Sequence, residues 1–284
     1  MTAAGELLDA EPAERLLRCL DVGTVDGVPE AMIVAAHPDD EVIGAGAQLP
    51  RLPGVTIVHT TDGAPRDLRD AHAAGFAGWE AYASARRHEL AAALRLAGVS
   101  AAAACTLGFA DQGASFHLVE LADALAAVFA ERRPEVVITQ PYEGGHPDHD
   151  ATAFAVHAAC ALLARRGLRP PALVEMTSYH AGDGGLVTAS FLPRPQSEVI
   201  TLVLDAQARA RKRALVACFA TQRAVLARFP LEIERFRPAP SYDFARPPHD
   251  GRLYYEHFDW GVDGIRWRAL ARAALAKLEL ARAP

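Results

Sequence analysis

Ala31-Met32-Ile33-Val34-Ala35, an unbroken apolar run, passes directly into Ala36-His37-Pro38-Asp39-Asp40-Glu41. Such a run reads as a buried strand. The switch to an imidazole and three carboxylates puts those groups at its carboxyl end, where open α/β sheets hold their ligands. Pro38 needs no amide donor and suits a first helical turn, and Asp39, Asp40 and Glu41 complement a helix amino terminus. Capping accounts for the proline and the acids, but not for a histidine at the strand tip.

The device recurs. Val136-Val137-Ile138-Thr139-Gln140 is a second apolar, β-branched run, and Pro141-Tyr142-Glu143-Gly144-Gly145 leads from it to His146-Pro147-Asp148-His149-Asp150. In a parallel sheet both strand ends lie on one edge, so clusters about a hundred residues apart can meet. Together they hold three histidines and four aspartates, a nitrogen and oxygen donor set for a metal that needs no cysteine.

The pair HPDDE and HPDH, in this order and at this separation, resembles the LmbE-like (PIG-L) family of zinc-dependent N-deacetylases. The resemblance runs from about Ile33 to about Gln222, and only the two motifs are highly specific. It implies an α/β three-layer sandwich: a Rossmann-like, mostly parallel sheet with helices on both faces. It also implies one Zn2+ per chain, with other divalent metals left open, and removal of an N-acetyl group from an N-acetylglucosamine-type substrate by water activated at the metal. Matched position by position, it makes His37, Asp40 and His149 the metal ligands and Asp39 the general base. His146 then protonates the leaving amine or steadies the oxyanion, and Asp148 orients His146. The resemblance further brings Arg86 and Asp111 towards the substrate. Tyr142, four residues before His146, and His180, at the end of a later strand, are the candidate oxyanion or substrate contacts. Tyr142 departs from the offset at which relatives carry a tyrosine.

With 284 residues, 51% hydrophobic and 23% charged, the chain can bury a sizeable core. A net charge of −6 without a basic face argues against nucleic-acid or anionic-membrane binding. The basic cluster Arg209-Ala210-Arg211-Lys212-Arg213 reads as a solvated helix face. No window approaches about 18 uninterrupted apolar residues, and the first residues are acidic rather than signal-like, so the expectation is a cytoplasmic protein without an integral membrane segment. Cys19, Cys105, Cys160 and Cys218 form no CxxC pair and read as buried free thiols. The partner expected is a small N-acetylated sugar or glycoconjugate, with a homo-oligomer left open.

One domain is expected over 1–284, with an amino-terminal arm (1–28) and an irregular wrap ending in a helix (about 229–284). Between them, strands are expected at 55–60, 104–107, 172–180 and 197–204, and helices at 42–49, 79–97, 118–132, 150–166 and 206–227. Residues 64–78 read as a long loop, and His59 and His157 as packing histidines. Arg86 and Glu89, three apart on one helix, read equally as a surface ion pair. Other readings stay open: an amidase on a sugar-thiol conjugate, a degenerate site in an interaction protein, or a nucleotide-binding Rossmann-like protein. The last lacks a GxGxxG after the first strand.

Overall fold

The computed structural model describes residues 11–194 and 197–281; residues 1–10 of the expected arm and 282–284 of the expected carboxyl-terminal segment lie outside the described residues. The strands are β1 (Ala31–Ala35), β2 (Thr56–Pro65), β3 (Ala104–Asp111), β4 (Val136–Thr139), β5 (Ala172–Met176), β6 (Tyr179–Gly182), β7 (Gly185–Thr188), β8 (Ile200–Val203) and β9 (Ile233–Pro238). Seven of them form one sheet in the order β3-β2-β1-β4-β5-β9-β8, and β6 and β7 form a separate hairpin. The first five strands pair in parallel, and β9 and β8 continue the sheet antiparallel. This is the mostly parallel α/β fold expected.

The helices are α1 (Pro12–Val22), α2 (Asp40–Ala45), α3 (Arg69–Ala73), α4 (Trp79–Leu96), α5 (Leu118–Arg132), α6 (Pro147–Arg165), α7 (Ala206–Val216), α8 (Arg223–Leu226) and α9 (Gly264–Lys277). They cover both faces, which explains why β1 is apolar throughout. Met32 and Val34 pack into one core with Leu121, Leu125, Phe154 and Trp267 from α5, α6 and α9. Ala31, Ile33 and Ala35 face the other core, with Leu16, Leu20, Leu90 and Leu215 from α1, α4 and α7. The alternation is the two-residue period of a strand. No helix among the described residues is long and apolar enough to cross a membrane.

Several boundaries differ from expectation, and each difference has a contact behind it. β2 runs on to Pro65 because its pairing with β3 survives two register shifts, with Thr61 opposite Phe109 and Pro65 opposite Asp111. β3 accordingly extends to Asp111, and the expected 64–78 loop contains α3. α2 stops at Ala45, earlier than expected. Gly44 in it lies so close to the sheet that a Cβ there would come 2.5 Å from Met176 Sδ. The expected strand 172–180 is two strands, because the chain leaves the sheet after Met176 and turns into the hairpin. The expected helix 206–227 breaks near Phe219, where Glu89 accepts hydrogen bonds from both the Thr221 amide (2.9 Å) and its hydroxyl (2.6 Å). Glu89 therefore makes no ion pair with Arg86. Of the thiols only Cys19 is buried, and Cys105 is exposed. Lys212, expected on a solvated face, is buried and donates to Glu234 at 2.8 Å.

The largest correction is β9, an internal strand within the stretch expected to be irregular. Its charges disguise it. Arg237 is 1% exposed, and its guanidinium meets Glu175 (2.7 Å), Glu143 (3.1 Å) and the Leu192 carbonyl (3.0 Å). Removing one partner from such a network leaves uncompensated buried charge. Arg237→Met is expected to lower the unfolding free energy by about 3–5 kcal/mol in urea titrations. A loss within about 0.5 kcal/mol, the range of surface substitutions, would refute the role given to this network.

Candidate metal centre

β1 lies at the point where the strand order turns back, with β2 and β3 on one side and β4 and β5 on the other. Open α/β sheets split there, and both motifs leave the sheet at the split. Val34 is paired with Thr139, and one residue beyond each strand the Ala36 amide donates to Gln140 Oε1 (2.8 Å). The two motifs are thus fixed side by side.

Side chains of three residues converge between them. His37 Nδ1 lies 3.2 Å from Asp40 Oδ2 and 3.3 Å from His149 Nε2, and His149 Nε2 lies 3.4 Å from Asp40 Oδ1, so the two imidazoles approach different oxygens of one carboxylate. One nitrogen from each of His37, His146 and His149 falls within 4.8 Å of the others, and so does one donor atom from each of His37, Asp111, His146 and Asp148. The remaining ring nitrogens have partners of the kind that orient ligand imidazoles. His37 Nε2 faces Asp111 Oδ1 (3.1 Å) and Asp148 Oδ2 (3.3 Å), and His149 Nδ1 meets Ser178 Oγ (3.0 Å).

Asp39 occupies a strained turn with φ 129°, a conformation that costs a non-glycine residue about 1–3 kcal/mol. Neighbours hold it. Its amide donates to Glu41 Oε2 (3.0 Å), and Glu41 in turn contacts His59 Nε2 (2.9 Å). Arg86, 3% exposed on α4, donates to the Pro38 carbonyl (2.6 Å), the Gly63 carbonyl (3.2 Å) and Asp39 Oδ2 (3.2 Å). The turn directs Asp39 and Asp40 differently, one towards Arg86 and the other towards the two histidines.

A cavity of about 130 Å³ opens above these groups, with the two motifs, Arg86 and Asp111 in its floor and walls. Residues 32–160 match the family described as PIG-L, GlcNAc-PI de-N-acetylase. The chain is 33% identical over 161 residues to a 1D-myo-inositol 2-acetamido-2-deoxy-alpha-D-glucopyranoside deacetylase of Nocardioides sp. (strain ATCC BAA-499 / JS614), covering 45% of this chain and 53% of the relative. It is 32% identical over 168 residues to the protein of that name from Kineococcus radiotolerans (strain ATCC BAA-149 / DSM 14245 / SRS30216), covering 49% and 46%. The chain spans about half the length of these curated relatives. Its fold is similar to that of the A40926 pseudoaglycone deacetylase Dbv21 (TM-score 0.57, 22% identity, 76% of this chain and 98% of that one). A similar fold occurs in a deacetylase of teicoplanin biosynthesis (TM-score 0.58, 21% identity, 75% and 98%).

Within the matched segment the acids are arranged differently from the sequence expectation in one respect. The Asp148 carboxylate does not orient His146, whose Nδ1 stands 4.0 Å away. It accepts instead from the amides of Gln112 (2.6 Å) and Ala114 (3.1 Å) and faces His37. The reason is local: Pro147 starts α6, and His146 caps that helix by accepting the Asp148 amide at Nδ1 (3.1 Å). This bond leaves the proton of a neutral His146 on Nε2.

Two candidates fall outside the cluster. Tyr142 is buried among Trp267, Phe244 and Tyr242, and its hydroxyl donates to the Arg246 carbonyl (2.9 Å). The helical return of α9 has filled the space an oxyanion contact would need. His180 borders a different cavity, with His249 and His257, because side chains alternate along β6 and its neighbour Tyr179 faces the cavity of the two motifs. Arg86 and Asp111 do reach the site. Ser178, Tyr179, Asp70, Gln222, Phe229 and Trp260 were not singled out from sequence, although all but Ser178 line the cavity. Ser178 was findable, since β5 neighbours β4 and its end reaches the same edge.

Burial raises the Asp39 carboxyl well above its usual range despite Arg86. Burial opposes ionisation of Asp40 too, but His149 and His37 outweigh it and hold Asp40 well below that range. Burial, reinforced by His37 and His149, pushes His146 well down. For His37 the effect of burial is overcome by Asp111, Asp148 and Asp40, which raise it. Adjacent carboxyls with environments that separate them in this way can divide ligand and base roles.

Asp150 gives a clean test of this buried electrostatics. Its Oδ1 accepts the amides of Glu143 (3.2 Å) and Gly144 (3.0 Å), and burial pushes its pKa up to about 8. The folded protein therefore keeps a proton that the unfolded chain releases near about pH 4, and stability falls as pH rises from about 4 to about 8. Asp150→Asn keeps the acceptor oxygen and removes the titration. The decline of the thermal midpoint across that window is expected to flatten by about one proton's contribution, and an unchanged slope would contradict the assignment.

Proposed function

We propose that the protein is a metal-dependent N-deacetylase of an acetamido sugar, with zinc as the metal, held by His37 Nδ1, Asp40 and His149 Nε2. The observation that carries this reading is the approach of the His37 and His149 imidazoles to each other and to the Asp40 carboxylate, within 3.2–3.4 Å, beside Asp39 and His146. The names of the relatives, all deacetylases, support the reaction class. The donor set of two imidazoles and one carboxylate suits zinc with an open position. When bound, the ion supplies Lewis acidity, polarising the amide carbonyl and acidifying water at that position.

The rest of the work falls to the chain. Asp39, made more basic by burial, takes the proton of the attacking water, and Arg86 keeps its carboxylate aimed. Neutral His146 donates an Nε2–H hydrogen bond to the developing oxyanion and keeps its proton, because Nδ1 already accepts the Asp148 amide; the proton the departing amine needs is the one Asp39 has taken from water. Asp111 Oδ1 serves as acceptor for a substrate hydroxyl. Asp148 and Ser178 fix the tautomers of His37 and His149.

Two measurements test the assignment. His149→Ala and Asp40→Asn are expected to lose most bound zinc by elemental analysis, while circular dichroism stays that of the wild type; full occupancy in either would remove it from the ligand set. Asp39→Asn is expected to keep its zinc yet lose roughly two or more orders of magnitude in amine release from N-acetylglucosamine-type substrates. Loss of zinc from that variant would reverse the roles of the two aspartates.

A further inference from the structure

The mouth of the cavity is built by chain outside the matched segment, and it is aromatic. Trp260 stands over His146 with ring centroids 4.6 Å apart, and Phe258 stacks on Trp260 at 4.4 Å and 11°. Phe258 takes one face of the indole, His146 packs against it at 46°, and Trp260 lines the cavity beside them. On the other flank Phe229 lies 5.8 Å from Tyr179, which packs 5.1 Å from His149. Phe258 itself is 39% exposed.

The cavity holds about 130 Å³, below the several hundred Å³ of sites that enclose a whole ligand. An acetamide fits on its floor; the group bearing the nitrogen must extend to the rim. An acetamide held beside His146 brings the carbon that carries its nitrogen towards Trp260, 4.6 Å from that imidazole. Asp70, Asp111, Gln112 and Gln222 also line the cavity, so the group that touches the indole meets hydrogen-bonding side chains as well. One apolar face and a polar edge describe a pyranose ring better than a linear alkyl amide, which would leave those polar groups unmet. Building on the deacetylase reading, we infer that Trp260, backed by Phe258, is the platform on which the pyranose ring carrying the acetamide stacks, and so selects amino sugars over linear acetamides.

The test compares Trp260→Leu and Trp260→Phe with the full-length zinc-loaded wild type on N-acetylglucosamine and on N-acetylethanolamine. The stacking contribution predicts that Trp260→Leu lowers the kcat/KM ratio of sugar to linear amide by about tenfold, mainly through KM, while Trp260→Phe restores most of it. A parallel titration of chelator-treated protein with N-acetylglucosamine, followed by tryptophan emission, is expected to give a saturable change that Trp260→Leu abolishes. An equal drop on both substrates, or an unchanged ratio, would overturn the platform and leave Trp260 as packing on His146. If the wild type hydrolyses neither compound, the deacetylase reading fails, and the emission titration alone decides the platform: saturable, Trp260-dependent change sustains it, and no change refutes it.

Discussion

The guanidinium of Arg86 ties together the two strand ends on which the site depends. It donates to the Pro38 and Gly63 carbonyls as well as to Asp39, so the turn after β1 and the bend in β2 are held by one buried cation. Without that clamp a non-glycine residue at φ 129° has little reason to stay there. The strain is useful because it separates neighbouring carboxylates, sending Asp39 to one wall and Asp40 to the converging imidazoles. A relaxed helical start would have placed both on the outer turn as ordinary caps.

Clustering so many ionisable groups in a buried crevice imposes a second demand, since each must be neutralised or satisfied. The protein meets it by chains of contacts that lead away from the centre. Glu41 connects the Asp39 amide to His59 on β2. Asp148 gathers two amides from the loop after β3, which also delivers Asp111. Further out, Arg237 joins Glu143, in the loop before the second motif, to Glu175 on β5. Rigid support of this kind fixes ligand geometry better than the ligands do themselves.

The floor and the mouth of the candidate site therefore have different origins in the chain. Residues 32–160, which match the PIG-L family, bring His37, Asp39, Asp40, Arg86, His146 and His149 to the split in the sheet. The β6–β7 hairpin, α8 with the turn after it and the 254–260 stretch bring Tyr179, Val225, Phe229 and Trp260 to its mouth. Loops that surround a fixed scaffold are where related sites diverge in what they accept.

The sequence by itself determined the parallel α/β architecture and the two motifs at its edge. Both follow from local rules: continuous apolar runs mark strands covered on two faces, and an abrupt change to His, Pro and Asp marks their carboxyl ends. Tertiary structure decided the rest, for reasons that local pattern does not contain. β9 was hidden because Glu234 and Arg237 look solvent-facing until Lys212 and Glu175 arrive from elsewhere in the chain to neutralise them. Tyr142 and His180 look as chemical as His37 in sequence, but the packing of α9 and the alternation along β6 turn them away. Trp260 carries no motif at all. It reaches His146 only because the chain after β9 returns across the sheet edge, and proximity across more than a hundred residues is a property of the folded chain.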